Sequence, residues 1–189
     1  MTESKLCLTE SKPATLYLGQ APKLAEEIVK SLCERKKHLV LAESCTGGLA
    51  SDFIVQIPGA SKVFWGSYIT YTDDAKIKML GVPAELLKKH GAVSREAAIA
   101  MAEGALKQSG AEMAVSITGI AGPDSDESQV PIGTVWIGLA GIDEDRQPLY
   151  WSKAKAYLFF GARNEIREAA ATTALEWVVH SLTRGGTSV

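Results

Sequence analysis

The sequence predicts an α/β protein, a three-layer α/β/α sandwich around a mixed, mostly parallel central sheet. Three observations predict it. Apolar runs of strand length alternate with segments of helical period along most of the 189 residues. Two of those runs stop at glycine-bearing turns, after Ala42 and after Thr118, where a chain leaving a strand can re-enter a helix. The strand-like runs beyond residue 130 follow one another with no helix between them. They should therefore pair antiparallel, while the helix-linked strands run parallel.

Taken in order, residues 1–20 show no clear period and are set apart as an N-terminal extension. The segment "PKLAEEIVKSLCERKK" puts Leu24, Ile28, Val29 and Leu32 on one face, with Pro22 suited to a first helical turn. "HLVLAE" is a short apolar strand, "GGLASDFIVQI" is helical, and "PGAS" is a turn. "KVFWGSYITY" is aromatic and β-branched, hence a strand. "TDDAKIKML" opens on a capping residue and acids, so a short helix follows. "VPAELLKKHG" is another helical turn, and "SREAAIAMAEGALKQSG" runs from the cap Ser94 to the stop Gly110. "AEMAVSITG" is a strand, and "VPIGTVWIGLAG", apolar on both alternations, is a central one. "DEDRQ" turns the chain into the strand "PLYWSKAKAYLF", and "ARNEIREAAATTALEWVVHSL" is a long final helix. This sets one domain at residues 21–183 and a tail at 184–189.

Bulk properties narrow the functional classes. The hydrophobic share is 46%, enough for a sizeable core, and the net charge of −2 offers no surplus for nucleic acid. Cys7, Cys33 and Cys45 form no C-x-x-C pair, which argues against a disulfide framework or a zinc site. His38, His90 and His180 are scattered without ligand spacing, so neither a metal nor a cofactor is expected. No signal peptide or membrane span is recognised, and a cytoplasmic location is expected.

In open α/β sheets ligands sit beyond the carboxyl ends of the parallel strands. Both glycine turns fall there and could share one cleft. In "AESCTGGLAS" the hydroxyls of Ser44 and Thr46 and the thiol of Cys45 can attack or hydrogen-bond. Amides near Thr46, Gly47 and Gly48, at a helix start, favour an anion, either a phosphate or an oxyanion. The plainer alternative is that Ser44 or Thr46 caps that helix. The turn matches neither a Walker loop nor a G-x-S-x-G elbow. Lys76 reads either as a solvent-exposed lysine or as a site residue. Arg163, in the first turn of the last helix, opposes the helix dipole unless it meets an anion.

"AESCTGG", "TYTDDAK", "LGVPAELLKKHGAVSREAAIAMAEGA", "SITGIAGPD", "PIGTVWIGLAG" and "FFGARNEIR" occur in this order. Together they closely resemble the CinA carboxy-terminal domain family, whose stand-alone members include nicotinamide-nucleotide amidases. The resemblance runs from about Ala21 to Leu182. It implies the α/β/α fold, hydrolysis of nicotinamide mononucleotide to nicotinate mononucleotide and ammonia, and a homodimer. The amino-terminal domain of full-length members is expected to be absent. By position, the family's serine is Ser44, its lysine Lys76 and its strand-end tyrosine Tyr71. Arg163 matches the arginine of the usual "GDR", here "GAR", so Ala162 removes an acid that could pair with it. The usual "SNEAK" is here "TDDAK".

The resemblance implies that Ser44 attacks, with Lys76 as base. A lysine amine has a free pKa of about 10.4 and a useful base needs roughly 7 to 8, a gap of about 4 kcal/mol. A positive charge 4 Å away in water supplies only about 1 kcal/mol, so burial must supply most of it. Arg163 could hold a ligand phosphate and assist. Tyr71 could orient Lys76 or Ser44, or be structural. Amides from Cys45 to Gly48 are the oxyanion candidates, and Thr118, Gly119 and Gly122 belong to the second loop, for substrate contact, or the two loops exchange these roles. Cys45 is a rival nucleophile. The other reading is a non-catalytic nucleotide-binding or regulatory module linked to competence or DNA damage, using the same loops.

Overall fold

A computed structural model describes residues 10–124, 130–142 and 150–183. The strands are β1 (Glu10–Pro13), β2 (Leu39–Glu43), β3 (Phe64–Ile69), β4 (Met113–Gly119), β5 (Thr134–Ile142) and β6 (Tyr150–Phe160). The helices are α1 (Ala21–Arg35), α2 (Leu49–Val55), α3 (Asp73–Leu80), α4 (Ala84–His90), α5 (Arg95–Ser109) and α6 (Arg163–Thr183). The sheet order is β1-β6-β5-β4-β2-β3. β2 runs parallel to β3 and β4, whereas β5 is antiparallel to β4 and β6, so the sheet is mixed and β5 is interior as expected.

The two faces bury different helices. Leu39, Leu41, Val115, Ile117, Ile137 and Phe159 pack under α1, α2 and α6. Val40, Ala42, Ala114 and Ala140 pack under α3, α4 and α5. The alternation Leu39/Leu41 against Val40/Ala42 is the strand period sending successive side chains to opposite layers. β2 is buried along its whole length, which explains its uniformly apolar start.

The helix ends follow the local chemistry of the chain. Thr72 caps α3 by accepting from the Ala75 N–H (3.2 Å), and Ser94 caps α5 by accepting from the Ala97 N–H (3.1 Å). Gly81 and Gly110 close the same helices in left-handed conformations.

The N-terminal stretch differs from its reading as a separate extension. Glu10–Pro13 pair parallel with Tyr157–Phe160, and Ala14 and Tyr17 in the following 3-10 turn are buried. Tyr17 meets Phe159 edge-on, its ring centroid 5.4 Å away. The strand is four residues long and polar, so its pairing comes from β6 rather than from a pattern of its own. The "DEDRQ" turn and the tail at 184–189 lie outside the described residues.

α3 is pressed against α5 at Gly104. A Cβ there would stand 2.2 Å from the Leu80 carbonyl oxygen. Gly104→Ala should therefore destabilise the fold by roughly 2 kcal/mol, despite about 1 kcal/mol of better helix propensity. A urea unfolding midpoint at or above the wild-type value would contradict that contact.

Candidate active site

β2 and β3 are parallel neighbours that stop side by side. The next residue of each stays in the ladder: the Ser44 N–H donates to the Ile117 carbonyl (2.9 Å) and the Thr70 N–H to the Glu43 carbonyl (2.8 Å). Thr72 then starts α3, which brings Lys76 back over the strand ends. The Lys76 Nζ lies 3.3 Å from the Ser44 Oγ, 3.2 Å from the Thr70 carbonyl oxygen and 3.7 Å from Asp73 Oδ1. Only 2% of the Lys76 side chain is exposed, against 58% for Asp73.

Burial lowers the Lys76 pKa from its ordinary value, because the ammonium loses more hydration than the amine. The Asp73 carboxylate works in the opposite direction, and Arg163 is not among the groups that act on the amine. The expected help from Arg163 is thus replaced by desolvation. A neutral amine fits this setting: it can donate one N–H to Thr70 and accept the Ser44 O–H.

Cys45 behaves differently. Burial pushes its thiol up to about 12. On the order of one thiol in 10⁵ is then ionised at pH 7, which removes its advantage as a nucleophile.

Ser44, Cys45, Tyr71, Lys76, Thr118, Gly119, Gly122 and Arg163 line a common cleft of about 540 Å³, with Val93, Ile120 and Ala121 on its apolar wall. The two glycine-bearing turns do share this cleft. The Thr118 hydroxyl is turned away to donate to the Ala92 carbonyl (2.8 Å), tying β4 to the loop before α5. Arg163 is oriented without the acid that Ala162 replaces. Its Nη2 donates to the Tyr71 hydroxyl at 2.9 Å and its Nη1 donates to the Gly122 carbonyl. Tyr71 therefore meets Arg163 rather than Ser44 or Lys76, and its hydrogen bond joins two walls of the cleft.

Thr46, Gly47 and Gly48 do not line the cleft as expected. The chain supplies its own anion to their helix. Glu43, fully buried, accepts from the N–H groups of Gly48 (2.9 Å), Ala50 (3.2 Å) and Ser51 (3.0 Å) and from the Ser51 hydroxyl. The Gly47 N–H donates to the Ser44 carbonyl (3.1 Å), and Gly48 caps α2 at a φ of 97°, a conformation that suits glycine. Of this turn, only Ser44 and Cys45 line the cleft. Arg167 of α6 donates to the Thr46 carbonyl (2.8 Å) and fixes the turn from the far side.

Glu43, Asp73 and Arg167 escaped sequence reasoning. Each had a signal. Glu43 is an acid ending an otherwise apolar strand, Asp73 precedes Lys76 by three on one helix, and Arg167 follows Arg163 by four.

The family model of the CinA C-terminal domain matches residues 21–182. The chain belongs to the CinA C-terminal domain family. A CinA-like protein of Thermotoga maritima is 44% identical over 161 residues, covering 85% of this chain and 38% of that protein. A CinA-like protein of Geobacter sulfurreducens is 44% identical over 145 residues, covering 77% of this chain and 33% of that protein. The chain thus spans well under half the length of these CinA relatives. Solved structures match over nearly their full length. The competence/damage inducible protein CihA of Agrobacterium tumefaciens superposes with a TM-score of 0.78 at 37% identity, covering 89% of this chain and 98% of that one. The competence damage-inducible protein A of Klebsiella pneumoniae gives 0.80 at 29% identity, covering 87% and 98%. Among the described residues, no helix is long and apolar enough to cross a membrane.

Two outcomes test this geometry. Glu43→Ala strands the amides of Gly48, Ala50 and Ser51, and should cost roughly 3 kcal/mol by chemical denaturation; a change within experimental error would mean that the carboxylate is not their anchor. Lys76→Met removes a buried amine whose folded pKa lies below its unfolded value of 10.5. The cost of burying that amine is full below the folded pKa and vanishes as pH rises through the unfolded one. The variant should therefore be more stable than wild type near neutral pH, by a margin that shrinks at alkaline pH. A margin constant with pH would contradict the lowered pKa.

Proposed function

We propose that the chain hydrolyses the carboxamide of nicotinamide mononucleotide to nicotinate mononucleotide and ammonia by a Ser–Lys mechanism. One observation carries this reading: a buried amine 3.3 Å from a serine hydroxyl at the floor of a cleft. A neutral lysine is a competent base for a serine, and burial lowers the Lys76 pKa toward that form. Membership of the CinA C-terminal domain family supports the same choice.

The steps follow from the contacts. The Ser44 O–H bond breaks as its proton passes to the Lys76 lone pair, and Oγ forms a bond to the carboxamide carbon. The carbonyl oxygen becomes an oxyanion, which this reading assigns to the amide of Cys45, beside Ser44 in the cleft lining. Lys76 returns the proton to the amide nitrogen, the C–N bond breaks, and ammonia leaves an acyl-serine. Lys76 then deprotonates a water, which hydrolyses the ester and restores Ser44. Val93 and Ile120 offer apolar surface to a pyridine ring, and Arg163 is the cleft's guanidinium for the phosphate.

Ser44→Ala should lower kcat for ammonia release by about 10⁴-fold or more while mononucleotide binding, followed by calorimetry, persists. Cys45→Ala should keep turnover within about tenfold. For wild type, kcat/KM should rise with pH through one ionisation below 10.5, the ordinary lysine value. Retained turnover in Ser44→Ala removes the serine from the mechanism. Binding by wild type with no ammonia released would favour the non-catalytic nucleotide-binding module.

A further inference from the structure

We infer that Asp73 is a positioning residue for this amide hydrolysis, its carboxylate steering the Lys76 amine toward Ser44 and holding the ammonium formed when the serine gives up its proton. The inference rests on the amidase reading above.

The geometry around one nitrogen carries it. An ammonium has three N–H donors and a neutral amine has two and a lone pair. Three oxygens surround the Lys76 Nζ: Thr70 O at 3.2 Å, Ser44 Oγ at 3.3 Å and Asp73 Oδ1 at 3.7 Å. Before proton transfer, Thr70 takes one N–H and the charge of Asp73, 3.7 Å away, draws the other toward itself, which leaves the lone pair for the serine. After transfer, the third N–H points back at Oγ, ready for the departing nitrogen. Thr70 gives a neutral carbonyl, so Asp73 alone among the three brings a full charge. It lies at the first position of α3, where the helix dipole favours an acid, and three residues ahead of Lys76 on the same face. It is also part of the cleft lining, between the buried amine and solvent.

Among the described residues, the other ionisable groups around the cleft are engaged elsewhere or line it without a hydrogen bond or ion pair to the amine. Cys45, on the turn after β2, is a neutral thiol because burial raises its pKa. Glu43, behind that turn, is engaged by the amides of α2. Tyr71 and Arg163 bond to each other across the cleft, and Asp124 is among its lining residues. Asp73 is the acid nearest the nitrogen, and it is the first-named charge opposing the effect of burial on Lys76.

Asp73→Asn keeps the shape and removes the charge. The nearby Asp74 pairs with Lys78 at 2.9 Å on the exposed side of α3, so Asp74→Asn is the control. Ammonia release from nicotinamide mononucleotide is measured across pH for wild type and both variants. In parallel, the Lys76 side-chain NMR signal, assigned by its loss in Lys76→Met, is titrated in each. Without the carboxylate, more of the amine is neutral at low pH, so Asp73→Asn should run about fivefold faster than wild type there. It should run slower on the alkaline plateau, with KM little changed and the NMR midpoint displaced to lower pH. Asp74→Asn should overlay wild type. A uniform fall at every pH, or an unmoved NMR midpoint, overturns the role of Asp73. No turnover by wild type, together with a displaced midpoint, overturns the amidase reading and leaves the hold of Asp73 on the amine standing.

Discussion

Everything at this site depends on the burial of one amine. Lys76 is among the largest fully buried side chains of the protein, in company with Phe159, Ile28 and Leu32. A charged ammonium there would be costly, since one carbonyl, one hydroxyl and a carboxylate at 3.7 Å replace its hydration only in part. The protein avoids that cost by favouring the neutral form, and the neutral form has the lone pair a base needs. Structure and chemistry are thus linked through desolvation rather than through a second cation.

The site holds a second buried ionisable group, and the contrast is instructive. Glu43 is as buried as Lys76, yet it is surrounded by three backbone amides and two serine hydroxyls. The carboxylate stands where a bound anion would sit at the start of α2. The carboxylate therefore does structural work, fixing the turn that carries Ser44. Arg167 braces the same turn from α6, and Arg163 braces the opposite loop through Gly122. Two arginines one helical turn apart thereby tie both loops of the cleft to a single rigid helix.

Most of the fold was legible in the sequence. The periods of α1, α5 and α6, the capping residues Thr72 and Ser94, and the uniformly apolar β2 each state their own structure. β1 was not legible, because "ESKP" has no alternation and takes its conformation from the edge of β6. The site was legible less evenly. Strand order predicted that both glycine turns meet, and they do. Pairing Ser44 with Lys76 required family resemblance, since no local spacing relates positions 32 residues apart. Thr46, Gly47 and Gly48 were read as ligand contacts because exposed amides at a helix start suggest an anion. The carboxylate one residue before Ser44 answers that suggestion from within the chain.

The most direct measurement uses a small serine-directed fluorophosphonate, with intact-mass and peptide analysis of the labelled protein across pH. If the amine at position 76 activates the hydroxyl at position 44, one phosphonyl group should appear, on the peptide containing Ser44. Its rate should climb with pH as Lys76 loses its proton, and labelling should nearly vanish in Lys76→Met. Labelling confined to another residue, or labelling of Ser44 at a rate indifferent to both pH and Lys76, would contradict the coupling of these two side chains.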